Sequence, residues 1–160
     1  MREYPILFSG PMIRAILADR KNVTRRLSSQ WLKVKAGDRL WVRETFAPIG
    51  EHAVIHQATN IGYSVARWKP SIHMPRWASR ILLECEEDAR AESLQDITEE
   101  DAQREGVDKS RCGIAGYAME PVYSYRTGFV RIWSTLHTKP GETWLENPTV
   151  IRVGAFRRIA

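Results

Sequence analysis

Apolar and polar positions along the chain fall into short blocks. Tyr4–Phe8 is an apolar run closed by Ser9-Gly10-Pro11, which predicts a strand ending in a turn. Met12, Ile13, Ile16 and Leu17 then share one stripe of a short helix. Pro11 suits its first turn, Ser9 or Gly10 its cap, and the stripe runs out at Asp19-Arg20-Lys21. Val23–Leu27 alternates and predicts a strand, Lys35–Asp38 a turn, and Arg39–Arg43 a second alternating strand. Ala53–Ala58 makes a third, and the Gly-, Pro- and Trp-containing stretch 60–76 a long ordered loop. Arg80–Glu86 reads as a strand partly buried on both faces.

Thr98–Glu105 predicts a helix. Thr98 and Asp101 have the spacing of a capping box, acidic residues crowd the first turn, and Gly106 stands where a C′ glycine belongs. Residues 108–122, with Gly113, Gly116 and Pro121, read as a surface excursion. Over Tyr125–His137 a helical apolar face combines Phe129, Ile132, Trp133 and Leu136, and Lys139-Pro140-Gly141 ends it. Thr149–Ile159 is a closing strand. Five or six short strands with three helices predict a mixed α+β chain, a small β-barrel with helices packed outside. The absence of a regular βαβ alternation argues against a doubly wound sheet.

A length of 160 residues predicts a single domain with long loop insertions. A 43% hydrophobic and 27% charged composition is that of a folded chain, and no stretch reaches the ~20 apolar residues of a membrane span. The opening residues lack the pattern of a secretory leader, and Cys85 and Cys112 are too few for a disulfide framework. The expectation is a cytoplasmic, reduced protein without a membrane partner. A net charge of +5 permits nucleic acid but also lies within the range that solubility alone requires.

Candidate chemistry is concentrated in one place. His52 and His56 sit in a predicted strand, where i and i+4 lie ~13 Å apart, too far to share an ion. His73 and His137 have no ligand-spaced partner, so neither metal nor cofactor is expected. Cys85 lies in an apolar strand and reads as inert core. No glycine-rich phosphate loop or nucleophile elbow occurs. The segment Asp19–Arg26 places Lys21, Thr24 and three arginines where a helix hands over to a strand. A buried lysine of lowered pKa can activate a threonine hydroxyl. The same residues also read as a solvated basic edge. Trp41 and Trp133 read as core, whereas Trp68 and Trp77, in a loop with His73, are candidates for stacking on a ligand. Glu44 reads equally as a ligand contact or a strand-end charge.

The segment Ile16-Leu-Ala-Asp-Arg-Lys-Asn-Val-Thr-Arg-Arg26 resembles the signature of the ASCH superfamily, related to PUA RNA-binding domains. It keeps that motif's lysine and arginine as Lys21 and Arg26, with Asp19 and Thr24 in place of its glycine and glutamate. Those two departures are the pattern of the bacterial N4-acetylcytidine amidohydrolases. Gly37-Asp38 with its following strand, the helix ending at Glu105, and Ala155-Phe-Arg157 keep the family's order. Trp-Val-Arg-Glu-Thr-Phe-Ala-Pro48 and Trp68–Arg80 resemble a phage and prophage group of ASCH-like proteins. The resemblance implies one PUA-like barrel over 1–160 with insertions at about 44–76 and 108–147. It implies hydrolysis of an N4-acylated cytidine or cytosine by Lys21 as base, Thr24 as nucleophile and Glu105 as proton shuttle. Arg20, Arg26, Glu44, Trp68, His73 and Trp77 are the expected substrate contacts. The alternative is a non-enzymatic module of phage origin that binds RNA or a modified nucleotide.

Overall fold

The computed structural model describes residues 1–112 and 122–160. Its strands are β1 (Glu3–Leu7), β2 (Val23–Arg26), β3 (Arg39–Arg43), β4 (Phe46–Pro48), β5 (Val54–His56), β6 (Leu82–Cys85), β7 (Arg90–Ser93), β8 (Ser110–Cys112), β9 (Val122–Ser124), β10 (Thr149–Gly154) and β11 (Phe156–Arg158). Three α-helices are interspersed: α1 (Gly10–Leu17), α2 (Glu99–Arg104) and α3 (Tyr125–Leu136). The chain is therefore mixed α+β. Among the described residues the ladders form four sheets. The largest has the order β1-β3-β6-β11, with β1 and β3 parallel and the others antiparallel. The second is the antiparallel β2-β10-β7.

The main core fills the space between these two sheets and α1, with Ile6, Ile13, Ile16, Leu40, Leu83 and Val153 at its centre. Alternation along β3 accounts for this, since Leu40 and Val42 point inward while Arg39, Trp41 and Arg43 stay half-exposed. A second core joins α2 and α3 to β10 through Leu94, Ala102, Phe129, Trp133 and Val150. Among the described residues no helix is long and apolar enough to cross a membrane.

Several expectations need correction. The closing segment is two strands: β10 belongs to the second sheet and β11 to the first, and the break falls at Gly154 (φ +120°). A Cβ there would stand 2.7 Å from the Asn22 carbonyl, so glycine alone fits where the chain changes sheet. β7 reads Arg-Ala-Glu-Ser and shows no apolar alternation; its pairing with β10 is what makes it a strand. The flanks of the excursion over 108–122 pair as β8 and β9, and the rest of it, including Gly113, Gly116 and Pro121, lies outside the described residues. On α3 only Phe129 and Trp133 are core; Ile132 and Leu136 are exposed.

Candidate functional site

Lys21 meets Glu105 because two local signals converge. After α1, Asp19 takes a left-handed conformation (φ +55°), which a short polar side chain tolerates, and the chain reverses with Arg20 and Lys21 donating to the Ala15 carbonyl. Much further along the chain Thr98 caps α2 by accepting from the Asp101 amide, and the helix ends on Glu105 followed by Gly106 (φ +80°). The two ends then join: Asn22 donates to the Arg104 carbonyl, and Lys21 and Glu105 form an isolated antiparallel bridge. A Cβ on Gly106 would lie 2.7 Å from Ala15 Cβ and 2.8 Å from Lys21 Cβ. Gly106→Ala is therefore expected to cost roughly 1–3 kcal/mol in a urea unfolding curve, because it strains the backbone and pushes Lys21 out of place.

Both side chains are buried. Lys21 Nζ donates to Glu105 Oε2 at 2.8 Å, to the Glu105 carbonyl at 2.9 Å and to the Val23 carbonyl at 2.8 Å. Burial lowers its pKa below the ordinary lysine value, with Glu105 opposing and Arg26 and Arg25 assisting. The other Glu105 oxygen, Oε1, accepts from Arg25 Nη1 at 3.1 Å. Arg25 also reaches Glu92 (2.7 Å) and Asp101 (2.6 Å). Arg152, directly opposite Arg25 in the β2–β10 ladder, donates through Nε and Nη2 to Asp101 and through Nη1 to Glu87. Asp101 thus separates two buried guanidiniums that would otherwise repel across the sheet. Its side chain does not close a capping box; it is occupied by arginines.

A cavity of about 390 Å³ opens above the pair, within the ~300–1,000 Å³ range of small-molecule sites. Lys21, Thr24, Arg25, Arg26 and Glu105 make its polar floor, and Phe8, Met12, Phe129, Ile132, Trp133 and Leu136 line the apolar remainder. Thr24 is buried but has no hydrogen bond to Lys21, whose three N–H groups are all engaged elsewhere. Arg26 donates from Nη2 to the Leu7 carbonyl and stacks 5.0 Å over the Phe8 ring, while its Nε has no hydrogen-bond partner among the described residues.

Of the expected site residues, Lys21, Thr24, Glu105 and Arg26 therefore share one cavity. Arg20 does not join them. It lines neighbouring hollows, one with Asp19, Asn22, Arg104 and Asp108 and one with Gly106 that also takes in Met12 and Ile132. Glu44 is buried and held by both Arg80 Nε (2.8 Å) and Nη2 (3.0 Å), so it is an internal ion pair with no free acceptor face. Trp68, His73 and Trp77 do not line the cavity: they belong to the stretch packed around Phe46, Met74 and Ala78, where Trp77 meets His52 edge-on. Trp41 is only half-buried, beneath the Arg43 and Arg76 guanidiniums. Burial pushes the Cys85 thiol up to about 12, in keeping with inert core.

Arg25, Asp101 and His137 contribute to the site or its support without having been singled out. His137 stacks on Trp133 at 3.8 Å and lines the cavity. Among the described residues no three His, Cys, Asp or Glu side chains group as metal ligands. No protein-family model, curated protein or solved structure matches the chain.

Proposed function

We propose that this chain is an amidohydrolase of the ASCH type that removes the acyl group from N4-acylated cytidine or cytosine. In this reading the two main sheets are the walls of a PUA-like barrel. The observation that carries it is the buried 2.8 Å contact between Lys21 Nζ and Glu105 Oε2 at the floor of a cavity that Thr24 also lines. A lysine, a threonine and a carboxylate are a complete set of base, nucleophile and acid for amide hydrolysis.

Passing the shared proton from Lys21 to Glu105 leaves a neutral amine and a neutral acid. The amine then takes the Thr24 hydroxyl proton as Oγ1 bonds to the acyl carbon, and the carbonyl π pair moves onto oxygen. Arg26, whose guanidinium lines the cavity, is the donor for that oxyanion. Collapse breaks the C–N4 bond while Glu105 protonates the leaving nitrogen, which restores the ion pair. In the second half water gives a proton to Glu105 and attacks the ester. Lys21 returns a proton to Thr24, and the carboxylic acid leaves. Arg25 acts as a positioning residue, fixing the second Glu105 oxygen.

Incubating the protein with N4-acetylcytidine and following cytidine by chromatography tests the reading; no turnover across acyl groups and nucleoside forms would reject it. In that mechanism the Lys21–Glu105 pair must hold one proton, so that one group serves as base and the other as acid. kcat/KM is therefore expected to fall as the pH rises through the pKa of Lys21, which burial has lowered below the ~10.4 of a free lysine. A profile that goes on rising through that range contradicts the shared proton. A second reading, a non-enzymatic nucleotide or RNA binder, draws on the half-exposed Trp41 between Arg43 and Arg76. It requires salt-dependent binding to oligonucleotides without hydrolysis.

A further inference from the structure

We infer that the α3 wall of the cavity is an acyl-chain pocket and that the chain prefers N4-acyl groups longer than acetyl. The inference rests on the hydrolase reading and adds a substrate class to it.

The apolar face of α3 is divided in two. Phe129 and Trp133 turn into the second core, whereas Ile132 and Leu136, one turn apart, remain 39% and 69% exposed. Both of these exposed side chains line the same cavity as Thr24, and Met12 of α1 stands on it too. Apolar surface left wet beside a polar catalytic floor gains free energy when a ligand covers it with apolar surface of its own.

Which part of the substrate does so follows from its chemistry. The scissile carbonyl carbon must sit at Thr24 Oγ1, with the pyrimidine on one side of the bond and the acyl chain on the other. Cytosine presents O2 and N3, acceptors that Ile132, Leu136 and Met12 cannot satisfy. An acyl chain asks only for contact. Acetyl offers a single methyl group, whereas a propyl chain or a phenyl ring presents enough apolar surface to cover a helix face.

The test compares kcat/KM for N4-acetyl-, N4-butanoyl- and N4-benzoylcytidine. Two further buried methylenes, at roughly fourfold each, predict that butanoyl exceeds acetyl by about fifteenfold. Ile132→Ser with Leu136→Ser is expected to bring that ratio close to one, while Leu136→Met retains it. Circular dichroism checks the fold of each variant. If the double variant fails to fold, Leu136→Ser alone, at the more exposed position, is expected to lower the ratio about threefold. Wild-type protein that cleaves acetyl as fast as butanoyl overturns the inference and leaves the hydrolase reading intact. A serine variant that slows every substrate equally also overturns it, because the wall then serves the base. Turnover of none of the three overturns the hydrolase reading and the inference together.

Discussion

Asp101→Ala is expected to destabilise the protein by about 2–3 kcal/mol, the cost of removing the counter-ion that two buried guanidiniums share. Asp101 accepts from Arg25 at 2.6 Å and from Arg152 at 2.7 and 3.2 Å, and both arginines are almost completely buried. Arg25 retains Glu92 and Glu105 in the variant, and Arg152 retains Glu87, so the sheet is weakened without losing all its charge balance. Urea unfolding at neutral pH measures the loss; a change below ~1 kcal/mol would mean the arginines are solvated. The pH dependence follows from the same contacts. Burial alone would raise the Asp101 pKa, but the hydrogen bonds and charges of Arg152 and Arg25 outweigh it and hold the carboxyl well below the usual range. An unfolded aspartate titrates near ~3.9, so this stabilisation is complete above that pH and is lost as the pH falls toward the folded value. The stability gap between wild type and Asp101→Asn should therefore narrow below pH ~4.

Lys21→Ala should lower turnover of an N4-acylcytidine by roughly 10²–10⁴-fold, the usual worth of a positioned general base. It removes the only amine among the described residues that line the cavity and takes one donor from each of the Val23 and Glu105 carbonyls. Glu105 keeps its bond to Arg25, so the fold is expected to lose less than in Asp101→Ala. Comparing kcat/KM with the urea midpoint separates the two effects. A variant that is folded and fully active would remove lysine from the mechanism.

Helix α2 is legible in the sequence because its signals are local: Thr98 at the cap, acids in the first turn, glycine after the last. β7 and the break between β10 and β11 are not, since both depend on partners brought from elsewhere in the chain. Of the site, Lys21, Thr24 and Glu105 are legible through their resemblance to a known segment. Their meeting point is not, because the bridge between Lys21 and Glu105 spans 84 positions. Arg25 and Arg152 were open to a simpler argument. Arg152 stands inside Val150-Ile-Arg-Val153, and a charge within an apolar strand must be buried with a partner. That partner, Asp101, also has the spacing of a capping residue, since its position in the helix fits both roles. Trp68, His73 and Trp77 stand in a long loop whose Met74 and Ala78 pack with Phe46, apart from the cavity, while His73 and Trp77 themselves stay exposed there.

In the proposed mechanism Thr24 carries the acyl group during turnover. Rapid quenching of wild-type protein with excess N4-acetylcytidine, followed by peptide mass mapping, addresses it directly. One acetyl group is expected on the peptide containing Thr24, absent in Thr24→Ala, whose turnover falls by more than ~10³-fold. Folded Thr24→Ala protein that releases cytidine at the wild-type rate would contradict it.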